Sequence, residues 1–159
     1  MIDISSISAI VAATGVIVGV VFTVLELRNL VKTRQTDLMM RLYSSLTTKE
    51  FMEAFLKVIN LEFKDYKDFV KKYGSVFSDS PAIVAWWIVW AYFEEAGHLL
   101  QRRLIDVDLA YELLPAFVVW EKMKPIAEGM RKQYNQPDWY EWFEYLYNEM
   151  KKREQRLQP

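Results

Sequence analysis

From Ile4 to Leu25 the chain reads ISSISAIVAATGVIVGVVFTVL, a stretch without one charged side chain. At about 1.5 Å of rise per residue, a helix of roughly 22 residues reaches about 33 Å, enough to cross a hydrocarbon core of about 30 Å. The flanks are unequal: Asp3 precedes the stretch, whereas Arg28, Lys32, Arg34 and Arg41 follow it. By the positive-inside rule the N-terminus faces out of the cell membrane and everything after Glu26 lies in the cytoplasm. A cleaved signal peptide would carry a basic start and a shorter apolar core, and neither is present. The stretch therefore reads as a single-pass transmembrane helix whose first partner is the lipid bilayer.

This helix also has a face. Ser8, Ala12, Gly15 and Gly19 recur at spacings of four, three and four, with Ser5 extending the same small-residue stripe. Gly15 and Gly19 form a GxxxG among the β-branched Val16, Ile17, Val18, Val20 and Val21. Small residues let helix backbones approach closely, and β-branched neighbours, already stiff at χ1, lose little entropy on packing. The stripe predicts homo-oligomerisation. Glu26, seven residues beyond Gly19, continues it. In a ring of subunits its carboxylates would face a common axis and favour cations at the cytoplasmic mouth of a pore. A stripe so narrow and weakly polar suits tight helix contact better than a water column.

The helical period does not stop at the membrane. Leu27, Leu30, Val31, Leu38 and Leu42 keep it in a segment free of Gly and Pro, so one helix is expected from Ile4 to Leu46. The chain then divides into residues 1–46, the span (about 4–25) with its cytoplasmic extension, and residues 47–159, a cytoplasmic helical bundle. Thr47 or Thr48 offers an N-cap, and Thr47-Thr48-Lys49-Glu50 resembles a capping box, ahead of a short helix with Phe51, Phe55, Val58 and Ile59 on one side. LEFKDYKDFVKKYG carries the helical spacing of Phe63, Tyr66, Phe69, Val70 and Tyr73, and Gly74 closes it. Ser80-Pro81 restarts a helix rich in apolar residues, with Ile83, Trp86, Trp87, Trp90 and Glu94 on one side. Its charge-free part is too short to span a bilayer, so it reads as the centre of a bundle. Asp106 caps the next helix, Pro115 breaks or kinks it, and Pro125 disturbs the following one. After a turn at Asn135–Asp138, a last helix from Trp139 places Trp139, Phe143, Leu146 and Tyr147 on its inner face. The fold class is all-α.

Composition excludes several chemistries. Twenty Lys+Arg against 21 Asp+Glu give a net charge of −1, which argues against nucleic acid as a partner, and the basic KKREQR suits the end of a helix. With no cysteine, thiol catalysis, disulfides and Cys-ligated metals are ruled out. The single histidine, His98, follows Glu95 in a Glu-x-x-His pattern, with Glu94 beside it. That spacing points two ligands at one metal in ferritin-like bundles, but those sites need a second such motif and further glutamates. Glu94, Glu95 and His98 are thus weak metal candidates, more simply read as bundle residues, and no cofactor is expected. Ser5 and Ser8 have no base partner and read as packing residues rather than nucleophiles.

The order of segments resembles a family of small prokaryotic membrane proteins catalogued as a domain of unknown function. The resemblance runs through Arg41-Leu42-Tyr43, Leu46-Thr47-Thr48-Lys49-Glu50-Phe51 and Tyr92-Phe93-Glu94-Glu95-Ala96-Gly97. It continues in Arg102-Arg103-Leu104-Ile105-Asp106, Trp120-Glu121-Lys122-Met123-Lys124-Pro125 and Tyr140-Glu141-Trp142-Phe143-Glu144-Tyr145-Leu146. It departs at Arg103, where the pattern calls for glycine before Leu-Ile-Asp. The resemblance implies one N-terminal transmembrane helix and a helical cytoplasmic domain, and it carries no activity. Together these readings favour a non-enzymatic, membrane-anchored homo-oligomeric scaffold or interaction module, ahead of a homo-oligomeric ion channel and a metal-dependent enzyme.

Overall fold

The computed structural model describes residues 3–157; within the first helix the side chains of residues 4–7 and 9, Ser5 included, lie outside that description. Among the described residues there are seven helices and no strand: α1 (Ile4–Leu46), α2 (Lys49–Ile59), α3 (Tyr66–Tyr73), α4 (Pro81–Gln101), α5 (Val107–Leu113), α6 (Ala116–Tyr134) and α7 (Glu141–Leu157). The chain divides into two compact units within α1, between Gln35 and Thr36.

The first unit is the leading part of α1, in which every side chain from position 10 to 34 is exposed. Two of its hydroxyls bond on their own helix: Thr14 donates to the Ile10 carbonyl (2.8 Å) and Thr23 to the Gly19 carbonyl (2.9 Å). Such bonds satisfy the donor without any help from water.

In the second unit the sequence signals act locally, with corrections. Thr48, not Thr47, caps α2, its hydroxyl accepting the Phe51 N–H at 3.3 Å. The residue three places on is therefore Phe51, and no capping box with Glu50 forms. The helix expected across LEFKDYKDFVKKYG starts only at Tyr66, because Asp65 caps it by accepting the Asp68 N–H at 2.8 Å. Leu61 and Phe63 still pack on the core from the preceding loop. Gly74 ends α3 at φ 98°, and Ser80-Pro81 opens α4 as expected. Asp106 caps α5 through the Asp108 and Leu109 N–H groups, and Pro115 separates α5 from α6. Pro125 does not interrupt α6, which absorbs the missing donor within its 19 residues. The last helix begins at Glu141 and leaves Trp139 in the turn before it.

α4 is central, packing most extensively on α7 and next on α2. Trp86, Val89, Phe93 and Ala96 are buried on it, so its tryptophan-rich run is core. Phe93 stacks on Phe143 of α7 at 4.7 Å, and Trp120 of α6 meets the same ring edge-on at 5.0 Å. The end of α1 joins this unit: Met39 and Leu42 are buried, and the Tyr92 hydroxyl donates to the Leu42 carbonyl at 3.0 Å. On α7, Arg153 of the basic cluster binds Asp108 (2.7 Å) and Glu112 (3.5 Å) and lies 4.4 Å from the Tyr111 ring centre. It thereby ties α7 to α5.

Two backbone positions set the geometry. Gly97 lies against the α7 backbone, where an added Cβ would strike the Trp142 carbonyl. Arg103 occupies the left-handed region at φ 57°. Around it the Leu104 N–H bonds the Leu99 carbonyl and the Arg103 N–H bonds that of Leu100, each at 2.9 Å, which is a Schellman closure of α4. Glycine is the usual residue at such a closure, and an L-residue costs about 1–2 kcal/mol in that conformation. Gly97→Ala should destabilise the protein by roughly 3 kcal/mol or more in chemical denaturation. Arg103→Val should be less stable than Arg103→Gly by about 1–2 kcal/mol, since both lose the Arg103 side chain and differ in the left-handed backbone they must adopt. The same melting point for all three would contradict this account.

Candidate functional site

On α1 the stripe is open. Ser8, Ala12, Gly15 and Gly19 are exposed, and a Cβ built on Gly15 or Gly19 meets nothing within 4 Å. Glu26 is exposed as well. Around the stripe stand Val16, Ile17, Val18, Val20, Val21 and Phe22, each half or more exposed apart from Val18 at 49%. α1 is long and apolar enough to cross a membrane.

The Glu94–Glu95–His98 constellation is taken apart by packing. Glu95 is exposed, whereas Glu94 is half-buried at the seam of α4 and α7. The Glu94 Oε2 accepts the Phe143 N–H at 2.9 Å, and the Trp142 N–H bonds the same carboxylate. These are N–H groups of the first turn of α7, which have no partner inside their own helix. Glu94 is therefore a helix cap delivered from another helix, with its charge at the positive end of the α7 dipole. His98 sets its ring edge-on to Trp142, 5.3 Å away. Among the described residues no group of three or more His, Cys, Asp or Glu side chains is placed to hold a metal ion.

Burial pushes the Glu94 carboxyl above its ordinary value. The Phe143 and Trp142 N–H groups oppose that rise, Glu141 adds to it and Arg131 subtracts. Arg131 is itself engaged, its Nε donating to the Trp139 carbonyl and its Nη2 pairing with Glu144, each at 2.7 Å. That pair holds the turn before α7 in place.

Beside Glu94 lies a cavity of about 320 Å³ that the sequence did not announce. Trp87 and Trp90 of α4, Phe77 of the preceding loop, and Trp139 and Tyr140 of the turn line it with Glu94 and Asp138. The rings stand close to perpendicular in succession: Trp87 to Trp90 at 81°, Trp90 to Tyr140 at 84°, Tyr140 to Trp139 at 77° and Trp139 to Phe77 at 82°. Tyr140 is held there against its own backbone preference, at φ 65°. Its buried hydroxyl meets the Met130 sulfur at 2.8 Å, and its ring packs edge-on against Trp86 and Trp90. Strain of this kind persists only where the surroundings over-determine it. The available signals were Trp87 and Trp90 three residues apart and the pair Trp139-Tyr140 beside a proline turn; nothing local joins them.

The family described as a domain of unknown function (DUF4760) matches residues 9–150. The chain belongs to that family. The match covers α1 from Ala9 onward, the α4–α7 seam and the cavity, which bears out the resemblance to a family of unknown function. No curated protein and no solved structure matches the DUF4760 chain.

The raised Glu94 pKa has a sign. A carboxyl with a higher pKa folded than unfolded stabilises the fold while protonated, and that contribution is lost as pH rises from the ordinary value of 4.5 through the folded value. Glu94→Gln keeps an oxygen for Phe143 but cannot ionise. Its stability relative to the parent should therefore improve as pH is raised across that window, read by denaturant melts at several pH values. Glu94→Leu leaves the α7 donors unpaired and should cost about 1–3 kcal/mol at every pH. A Gln variant as damaged as the Leu variant throughout would refute the capping role.

Proposed function

We propose that this DUF4760 protein is a non-enzymatic, membrane-anchored module that self-associates through α1 and presents its helical bundle to partners in the cytoplasm. The observation that carries the reading is the apolar surface of α1. From Ile10 to Val31 its large hydrophobic side chains stand 43–69% exposed along one helix, an area far beyond what a soluble monomer leaves in water. The bilayer is the solvent that removes this cost, and the back-bonded Thr14 and Thr23 hydroxyls suit it.

Orientation follows from Arg28, Lys32, Arg34 and Arg41 on the C-terminal side of the apolar run, which favours the N-terminus outside. Self-association rests on the open stripe of Ser8, Ala12, Gly15 and Gly19, where a second helix finds nothing in its way. The non-enzymatic reading is supported by how the best polar cluster is spent: Glu94 caps α7 and His98 packs on Trp142.

The full-length protein should stay in the membrane fraction through alkaline carbonate washing and give a mass above the monomer in mild detergent by light scattering. Gly15→Leu combined with Gly19→Leu should shift that mass toward the monomer without changing the helical signal of the bundle. Release by carbonate would overturn the anchor, and an unaltered oligomer in the double variant would overturn the stripe.

A further inference from the structure

The cavity beside Glu94 has a composition that selects its occupant. Its walls are aromatic on Phe77, Trp87, Trp90, Trp139 and Tyr140, and among the described residues its charged lining groups are the carboxylates of Glu94 and Asp138. The neighbouring cation, Arg131, is turned to Trp139 O and Glu144 instead. Successive rings meet at 77–84°, so the wall is built from rings lying in more than one plane. An aromatic face carries partial negative charge and attracts a cation within about 6 Å of its centre; an alkylated ammonium, which has little hydration to lose, gains most from such a site. Its methyl groups bury against the rings while its charge is met by carboxylate.

We infer that this aromatic box is a binding site for a small alkylated ammonium ion of the trimethylammonium class, held by the tryptophan walls and neutralised by Glu94 and Asp138. The size agrees: about 320 Å³ is at the small end for ligand pockets and suits a compact cation rather than a nucleotide or a peptide. Access agrees as well, since Phe77 at the wall is 62% exposed. The Trp87 Nε1 donates to the Val76 carbonyl at 2.7 Å, which fixes that wall. The site lies wholly in the second unit, so its occupancy does not depend on whether α1 anchors or oligomerises.

The test is calorimetric titration of the full-length protein in a maltoside detergent with tetramethylammonium chloride, against sodium chloride at equal ionic strength, with tryptophan fluorescence followed in parallel. Saturable binding of tetramethylammonium, absent for sodium, is expected. Glu94→Gln and Phe77→Leu should each weaken it about tenfold or more with the far-UV circular dichroism unchanged. Phe77 is exposed, so its variant reports on binding even if the Glu94 variant unfolds. Choline and glycerophosphocholine separate the sources: comparable binding of both identifies a headgroup-type ligand, and binding of choline alone identifies a free quaternary ammonium ion. A heat and fluorescence response to tetramethylammonium no different from that to sodium overturns the inference, as does affinity unchanged in a folded Phe77→Leu.

Discussion

The second unit depends on how closely α4 and α7 approach. Gly97 removes the side chain that would hold them apart, and Glu94, one turn earlier, bridges the gap by accepting the Phe143 and Trp142 N–H groups. A half-buried carboxylate is costly unless its oxygens are hydrogen-bonded, and the first turn of a helix is costly to bury unless its donors are. Each solves the other's problem. Around that joint the large rings stack, Phe93 on Phe143 and Trp120 against it, and α2, α3 and α6 complete the core. Arg153 repeats the principle at the far end of α7, where Asp108, Glu112 and the Tyr111 ring receive it.

The first unit obeys a different constraint. A lone helix whose apolar side chains all face outward has no protein core to enter, so its stability rests on backbone bonds made within the helix and on a surrounding that does not compete for them. Thr14 and Thr23 conform by bonding the carbonyl four residues back. The proposed anchoring and self-association both follow from that one exposed surface, which lipid can cover everywhere and a second helix can cover along the glycine stripe.

Strain in the fold is confined to chain reversals. Arg103 and Asn135 take left-handed conformations at the ends of α4 and α6, where the helix carbonyls require them. Tyr140 is different, because a bulky ring at positive φ is unfavourable and no helix C-terminus demands it. What it gains is its place between Trp90 and Trp139 on the cavity wall, with its hydroxyl on Met130. The turn between α6 and α7 is thus shaped for the aromatic box as well as for connecting helices.

The all-α class, the bounds of α1, and the helix starts at Ser80-Pro81 and Asp106 are legible in the sequence, because caps, proline and apolar period act within a few residues. Its misreadings were also local: a capping box between Thr47 and Glu50 that does not form, α3 begun before Asp65 captured its cap, Trp139 placed in a helix rather than the turn. The functional surfaces were legible in unequal measure. The stripe of Ser8, Ala12, Gly15 and Gly19 could be read because it repeats along one helix. It took the packing of α4 on α7 to make Glu94 a cap of α7 rather than a partner of Glu95 and His98, and to bring Phe77, Trp87, Trp90, Trp139 and Tyr140 around one cavity. Those partners are separated by up to some sixty residues, and contact at that separation is set by which faces pack, a property of the whole core that no local pattern encodes.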